Sequence, residues 1–174
     1  VRPSELEIEG IPYKRFRITQ LYLDFSSPGA TAHDDSYEKR VRMMQEEGGG
    51  STVYFLTEKW GSGLARIERE SIITRQEFDG HISERSLSSS SPIPMTSKTR
   101  TTFQYQDNVF EIDEFDKPLP QGDIYAVMEV ELASVNDRPN IPLFIDIVAD
   151  ITGDTYSNLE LALHWLEAPA GRSK

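Results

Sequence analysis

MTSKTRTTFQYQDNVFEIDEF, residues 95–115, carries the plainest secondary-structure signal in the chain. Thr, Phe, Tyr, Val and Ile are frequent in it, and the polar tripeptide QDN near its centre predicts a turn between two strands. Glu111 and Asp113 stand two residues apart in the second strand, and Phe110 and Ile112 alternate with them. Because successive side chains of a strand point to opposite faces, we expect a sheet with one apolar and one charged face.

Pairs of like-charged residues two positions apart recur in the predicted strands. The pairs are Glu7/Glu9, Arg40/Arg42, Glu68/Glu70, Lys98/Arg100, Glu111/Asp113 and Glu129/Glu131, and Lys59 and Arg66 add single basic positions. One such pair alone is typical of a sheet face in water. Like charges side by side repel, however, and their repetition is expected where something of opposite charge is bound. Carboxylates suit Mg²⁺ or Mn²⁺, and Arg and Lys suit phosphate oxygens, so the pattern predicts a metal–polyphosphate site.

The remaining sequence predicts further strands and a few helices. Strands are predicted at Glu5–Ile11, Arg15–Phe25, Tyr37–Met44, Thr52–Lys59, Leu64–Ile73, Met95–Tyr105, Val109–Phe115 and Ile124–Leu132. Helices are predicted at Thr74–Leu87, at Pro142–Ala149 from the spacing of its apolar residues, and at Tyr156–Leu166. The predicted fold class is α+β, with about eight antiparallel strands able to curl into a barrel and two or three flanking helices. One domain over residues 1–167 and a disordered tail over residues 168–174 are expected.

Charge and composition restrict the partners that the chain is expected to have. The 174 residues carry a formal net charge of −11, which weighs against nucleic acid as a partner. The sequence contains no cysteine, which excludes disulfides and thiolate metal sites and fits a cytoplasmic protein. It also contains no apolar run of about 18 residues, so no membrane span is predicted. A small anionic ligand is expected to bind only where basic residues are concentrated.

Several segments occur in an informative order, and they cover nearly the whole chain. They are ELEIE, ITQLYL, RVR, FLTEK, ARIERE, SKTRT, FEIDEF, VMEVEL and DITGDTYSNLELA. In this order they resemble the CYTH domain of the triphosphate tunnel metalloenzymes, a superfamily of inorganic triphosphatases, thiamine triphosphatases, class IV adenylate cyclases and fungal or viral RNA triphosphatases. The resemblance implies an eight-stranded antiparallel β-barrel, the triphosphate tunnel. It also implies in-line attack of water on the terminal phosphorus of a triphosphate.

The resemblance further implies roles for the charged residues. Substrate binding is implied for Arg40, Arg42, Lys59, Arg66, Lys98 and Arg100. Metal binding is implied for Glu7, Glu9, Asp113, Glu129 and Glu131, catalysis for Glu7, Glu9, Glu129 and Glu131, and a supporting place in the charge network for Glu68, Glu70 and Glu111. The implied cofactor is Mg²⁺ or Mn²⁺, and the implied partner is a small-molecule triphosphate, inorganic or organic.

The chain departs from the family at two basic positions. The ExExK motif of the family has its lysine where this chain has Ile11, if the acidic pair is Glu7/Glu9, or Glu9, if the pair is Glu5/Glu7. Lys14 and Arg15 are alternative sources of that charge. The basic residue that the family places before its final tyrosine is Thr155 here. The loss of two basic residues is expected to weaken turnover or to change the substrate.

Metal-dependent hydrolysis of a triphosphate is the function that these residues predict, and two alternatives remain open. One is a non-catalytic or weakly catalytic triphosphate- or nucleotide-binding module of a larger NTPase, because CYTH-like domains are also fused behind P-loop NTPase domains. This chain begins with Val1 and contains no GxxxxGKS/T motif of its own, as expected for such a fused half. The other alternative is a class IV-type adenylate cyclase.

Overall fold

Seven strands and two helices make up the described part of the chain. The structure is a computed structural model, and it describes residues 7, 9–26, 36–61, 67–120, 124–132, 134, 137–151 and 157–167. The strands are β1 (Tyr13–Phe25), β2 (Tyr37–Glu46), β3 (Thr52–Trp60), β4 (Ile67–Ile73), β5 (Met95–Tyr105), β6 (Asn108–Phe115) and β7 (Ala126–Glu131), and the helices are α1 (Arg75–Ser88) and α2 (Asn158–Glu167). The strands form one antiparallel sheet in the order β4-β3-β2-β1-β5-β6-β7. The predicted α+β class is confirmed.

The sheet is open within the described residues, with β4 and β7 as its edges. The strand predicted at Glu5–Ile11 is wrong at the positions that the structure describes. The Gly10 N–H donates to the Glu7 carbonyl at 3.1 Å, and Gly10 has a φ of 68°. Glycine adopts this left-handed conformation without strain, so the chain turns here and the first described strand begins at Tyr13.

Helix α1 covers one half of the apolar face of the sheet. Phe78 of α1 is buried against Leu23 of β1 and Val41 of β2. The helix begins after Thr74, whose hydroxyl accepts a hydrogen bond from the Glu77 N–H at 3.2 Å. The Glu77 carboxylate in turn accepts from the Thr74 N–H at 2.7 Å. This capping box satisfies N–H groups that have no partner within the helix, and the helix predicted here is confirmed.

The other half of the apolar face is covered by chain without regular secondary structure. Phe103, Phe110 and Ile112 are buried there, and Phe144 and Ile145 pack against them. The rings of Phe103 and Phe110 are stacked, with centroids 5.2 Å apart. Aromatic side chains bury a large apolar area, so this cluster is a main source of stability for β5 and β6.

The helix predicted at Pro142–Ala149 is wrong. The Ile145 N–H donates to the Pro142 carbonyl at 3.0 Å in a single turn, and residues 137–151, all described, contain no helix. Leu143 and Val148 supported the helical spacing, but they are 103% and 79% exposed. The segment therefore has no continuous apolar stripe that a helix would bury.

Helix α2 lies on the opposite, charged face and covers one end of it. Leu159 and Ala162 pack against Tyr22 of β1, while Leu161 and Trp165 belong to a cluster around Phe115 of β6. The helix predicted at Tyr156–Leu166 is thus confirmed over its described residues. Neither described helix has the length and apolar character that crossing a membrane requires.

Replacing Phe110 by alanine should lower the free energy of unfolding by about 3–5 kcal/mol, because the ring is fully buried and its loss leaves a cavity. Urea titration followed by circular dichroism measures the effect. Leu87→Ala is the matched control, since Leu87 is 89% exposed and its loss should change stability by less than about 0.5 kcal/mol. Equal effects of the two substitutions would contradict the described core.

Candidate functional site

The register of the sheet places the basic pairs of β2 and β5 on one face. Arg42 lies directly opposite Gln20 of β1, and Arg100 lies directly opposite Phe16. Gln20 and Phe16 are four positions apart on β1. Their side chains, and those of Arg42 and Arg100, therefore point to the same side. The second member of each basic pair, two positions away, shares this side.

The acidic pairs of the sheet point to the same side. Asp113 lies directly opposite Arg100, and Glu129 lies opposite Glu111. On the side of β1 that holds β2, β3 and β4, Glu70 lies opposite Thr57, which itself lies opposite Arg40. The charged face therefore carries Arg40, Arg42, Lys59, Glu68, Glu70, Lys98, Arg100, Glu111, Asp113, Glu129 and Glu131.

Asp113 is the centre of the ion pairs on β5 and β6. Its carboxylate accepts two hydrogen bonds from Arg100, from Nε and Nη2, both at 2.7 Å. It also accepts a hydrogen bond from Nζ of Lys98, and the same Nζ donates to Oδ1 of Asn158 at 3.1 Å. Lys98 and Asp113 are 1% and 2% exposed. Asn158 begins α2, so this contact joins the helix to the charged face.

The pKa values on β5 and β6 reflect burial and charge pairing. Burial alone would raise the pKa of Asp113, but hydrogen bonds from Arg100 and the charge of Lys98 hold it below its ordinary value. Burial lowers the pKa of Lys98, and the charge of Asp113 offsets this only in part. Burial also works against the charged form of Arg100, yet the bonds to Asp113 and nearby carboxylates raise its pKa. Asp113 therefore stays ionised between two cations.

A second group of ion pairs joins β2, β3 and β4. Arg40 lies 3.2 Å from Glu38 and 3.9 Å from Glu68, and Lys59 lies 3.1 Å from Glu68. Burial lowers the pKa of Lys59, and the positive charge of Arg40 lowers it further.

Arg42 belongs to the same group and makes two kinds of contact. Its guanidinium pairs with Glu70, which also accepts a hydrogen bond from Thr57 at 2.8 Å. It also lies over the ring of Phe55, 5.0 Å from the centroid, in a cation–π contact. Burial lowers the pKa of Arg42; Glu70 opposes this, and the charges of Arg40 and Arg100 add to it. Cations of β2 and β5 thus repel one another across β1.

A cavity of about 390 Å³ opens on the charged face beside these groups. It is lined by Lys14, Phe16, Ile18, Arg42, Met44, Phe55, Glu70, Arg100, Thr102 and Glu111. These residues come from six strands, β1 to β6, so the face is concave here. Cavities of this size are typical of small-molecule sites.

The cavity has donors that suit an anion. The side chains of Arg42 and Arg100 line it. Lys14 lines the cavity, and no described carboxylate lies within ion-pair distance of it. An oxygen-rich anion would supply acceptors for the Lys14 ammonium.

Some residues that the resemblance assigned to the site lie away from the cavity. Glu7 is exposed and accepts a hydrogen bond from the hydroxyl of Tyr13 at 2.8 Å. Tyr13 lies directly opposite Phe103 on the apolar face, so Glu7 lies beside that face. Glu9 is exposed in the turn that precedes β1. Arg66 lies outside the described residues, and its predicted role stays a prediction.

Other site residues were absent from the predicted set. Glu38 lies two positions before Arg40, but its charge is opposite, so the pattern of like-charged pairs does not include it. Lys14 was only one of two alternatives, and the structure separates them. Lys14 lines the cavity, whereas Arg15 pairs with Glu47 at 3.0 Å on the other face.

Carboxylates near the cavity fit a divalent metal by chemistry, although they do not form a complete ligand set. No three acidic or histidine side chains are gathered as a metal site in the part of the chain that the structure describes. Burial raises the pKa of Glu111; Arg100 opposes this, and the charges of Asp113, Glu129 and Glu131 add to it. Mg²⁺ is usually held by one or two carboxylates together with substrate phosphates. The donors therefore fit a metal ion that binds together with a phosphate ligand.

Comparison with known proteins gives little further information. No protein-family model matches the chain, and no curated protein matches it. A similar solved structure is that of the PH1819 protein from Pyrococcus Horikoshii OT3, with a TM-score of 0.49 and 15% sequence identity over 76% of this chain and 73% of that chain. A similarity at this level supports no conclusion about function.

Replacing Asp113 by asparagine should lower the free energy of unfolding by about 3–5 kcal/mol at pH 7, because Lys98 and Arg100 would lose the carboxylate that they share. Urea titration measures it, and Glu84→Gln on the exposed side of α1 is the control.

The same pair of variants tests the ionisation of Asp113. Its pKa is lower in the folded state than in the unfolded state, so the unfolded state binds more protons at acid pH. The free energy of unfolding therefore decreases as the pH is lowered. The contribution is complete above about pH 4, the ordinary pKa of an aspartate, and is lost below it. The stability of Asp113→Asn should therefore fall less steeply below pH 4 than that of the wild type. Parallel curves would exclude an ionised Asp113 as the source.

Proposed function

We propose that this chain binds a triphosphate on its charged face and hydrolyses it with the help of a divalent metal ion. The observation that carries the proposal is that Arg42 of β2 and Arg100 of β5 line one concave cavity together with Lys14. Guanidinium groups bind phosphate oxygens through charge-assisted hydrogen bonds, and Lys14 adds a third positive charge. We further propose that the sheet closes into a barrel, with β4 and β7 approaching each other around the ligand.

Ligand binding would require an exchange of counter-ions. Glu70 and Glu111, which pair with Arg42 and Arg100, have side chains that are 34% and 27% exposed. Asp113 is almost fully buried and cannot be hydrated without disrupting the sheet. The phosphates would therefore displace Glu70 and Glu111 from the guanidiniums, and Asp113 would stay in place to hold Arg100 and Lys98.

Hydrolysis would then use the displaced carboxylate of Glu111. A water oxygen attacks the terminal phosphorus, the bond from that phosphorus to the bridging oxygen breaks, and the diphosphate leaves. Glu111 accepts the proton of the attacking water, a role that suits a carboxylate with a raised pKa. Glu129 and Glu131 are the donors that would hold Mg²⁺ or Mn²⁺, which supplies positive charge against the phosphate oxygens.

A second candidate function, binding without turnover, is favoured by two observations. The basic residues predicted for the substrate already have carboxylate partners within the described fold, apart from the undescribed Arg66. None of the residues predicted for metal binding lines the cavity itself: they are Glu7, Glu9, Asp113, Glu129 and Glu131. Such a site would serve as a ligand-binding module of a larger NTPase.

Tripolyphosphate with Mg²⁺ or Mn²⁺ tests the two functions together. We expect phosphate release by the wild type. Arg42→Gln should weaken tripolyphosphate binding by roughly tenfold or more, because one charge-assisted bidentate contact is lost. Arg75→Gln, on the exposed side of α1, is the matched control and should bind normally. Binding by calorimetry without phosphate release would establish the module instead, and absence of both would refute the proposal.

The metal donors are tested by replacing Glu129 and Glu131 together with glutamine. The Mg²⁺ concentration that gives half-maximal phosphate release should rise severalfold, because two carboxylate ligands are lost. Metal-free tripolyphosphate binding should become equal or tighter, since two negative charges near the cavity are removed. Glu84→Gln serves as control. An unchanged Mg²⁺ dependence would show that these carboxylates hold no metal.

A further inference from the structure

Thr57 of β3 is a buried polar residue on the charged face. It lies directly opposite Arg40 of β2 and Glu70 of β4, and it is 0% exposed. Its hydroxyl donates a hydrogen bond to Oε2 of Glu70 at 2.8 Å. A buried hydroxyl is costly without a hydrogen-bond partner. Here the partner is a carboxylate that also lines the cavity.

Glu70 is held in place by two donors. Its Oε2 atom accepts hydrogen bonds both from Nη2 of Arg42 and from the hydroxyl of Thr57. Hydrogen bonds to an ionised group are stronger than those between neutral groups. Thr57 is fully buried and does not line the cavity, so a ligand in the cavity contacts Arg42 and Glu70 but not this hydroxyl. Thr57 therefore acts on the cavity only through Glu70.

The other carboxylate that lines the cavity lacks this support. Glu111 pairs with Arg100, and among the described residues no hydroxyl donates to it. Displacing Glu111 breaks an ion pair. Displacing Glu70 breaks an ion pair and also leaves the buried hydroxyl of Thr57 without its acceptor. Glu70 is therefore the counter-ion that is harder to displace.

From these contacts we infer that Thr57 is a positioning residue that limits anion affinity by holding Glu70 on Arg42. Glu70 competes with the phosphates for the guanidinium, and the hydroxyl strengthens this internal competitor. Removal of the hydroxyl should therefore tighten ligand binding. A threonine that contacted the ligand, or that served packing alone, would not have this effect. The inference rests on the proposed function and specifies how the affinity of that site is regulated.

Calorimetry with tripolyphosphate and Mg²⁺ tests this role. Thr57→Val keeps the shape of the side chain and removes the hydroxyl, so the affinity should rise about three- to tenfold. Thr57→Ser keeps a hydroxyl and should bind within about twofold of the wild type. Thr101→Val is the matched control, because Thr101 is 3% exposed and lies opposite Arg15, on the other face. Its affinity should equal that of the wild type.

A double-mutant cycle shows whether the effect passes through Glu70. Glu70→Ala alone should tighten tripolyphosphate binding, because Arg42 loses its internal counter-ion. Adding Thr57→Val to Glu70→Ala should then change the affinity by less than about twofold, since no carboxylate remains for the hydroxyl to hold. Melting temperatures verify folding, and Thr57→Ala takes the place of Thr57→Val if the valine variant does not fold.

The outcomes separate this inference from the function on which it rests. Unchanged or weaker binding by Thr57→Val, or a gain of equal size in the Glu70→Ala background, would overturn the role of Thr57 and leave triphosphate binding standing. Failure of the wild type to bind tripolyphosphate would overturn both.

Discussion

The bidentate pair of Arg100 with Asp113, shared with Lys98, is the interaction on which the charged face depends. Two cations on one strand cannot be desolvated together without a counter-charge at close range, because their repulsion and their loss of hydration both oppose folding. Asp113 supplies that charge from the neighbouring strand at 2.7 Å. Lys98 is thereby fixed where it also bonds Asn158, so that the same carboxylate indirectly fixes α2 over one end of the face.

The strands were predictable where one face is apolar throughout. Alternation identifies β5 and β6 because Phe103, Phe110 and Ile112 all enter one cluster. The same reasoning failed at both ends of the chain for different causes. Gly10 reverses the chain by a left-handed turn, which no alternation pattern reveals. At residues 142–149, apolar spacing resembled a helix, although adjacent residues Phe144 and Ile145 pack on the sheet together.

The site was predictable in part, through the period of the strands. Spacing of two residues put each charged pair that lies in a described strand on one side, and this needed no knowledge of strand order. Which pairs meet depends on the order β2-β1-β5-β6, which brings Arg42 and Arg100 to either side of β1. This strand order pairs residues that are distant in sequence, so the alternation within one strand cannot predict it. The sequence pattern could not single out Phe16 and Met44 as cavity residues, because apolar side chains in a strand are ordinary core residues.

The pairing of the cations also limits which anions the cavity would retain in the proposed function. A singly charged anion that displaces Glu70 from Arg42 exchanges one carboxylate for another charge of equal size, so it gains almost nothing. A triphosphate that contacts Arg42, Arg100 and Lys14 at once replaces two carboxylates with a single molecule. The released Glu70 and Glu111 regain hydration, and the bound phosphates cannot leave one at a time. Internal ion pairs of this kind therefore favour multiply charged ligands over the more abundant singly charged ones.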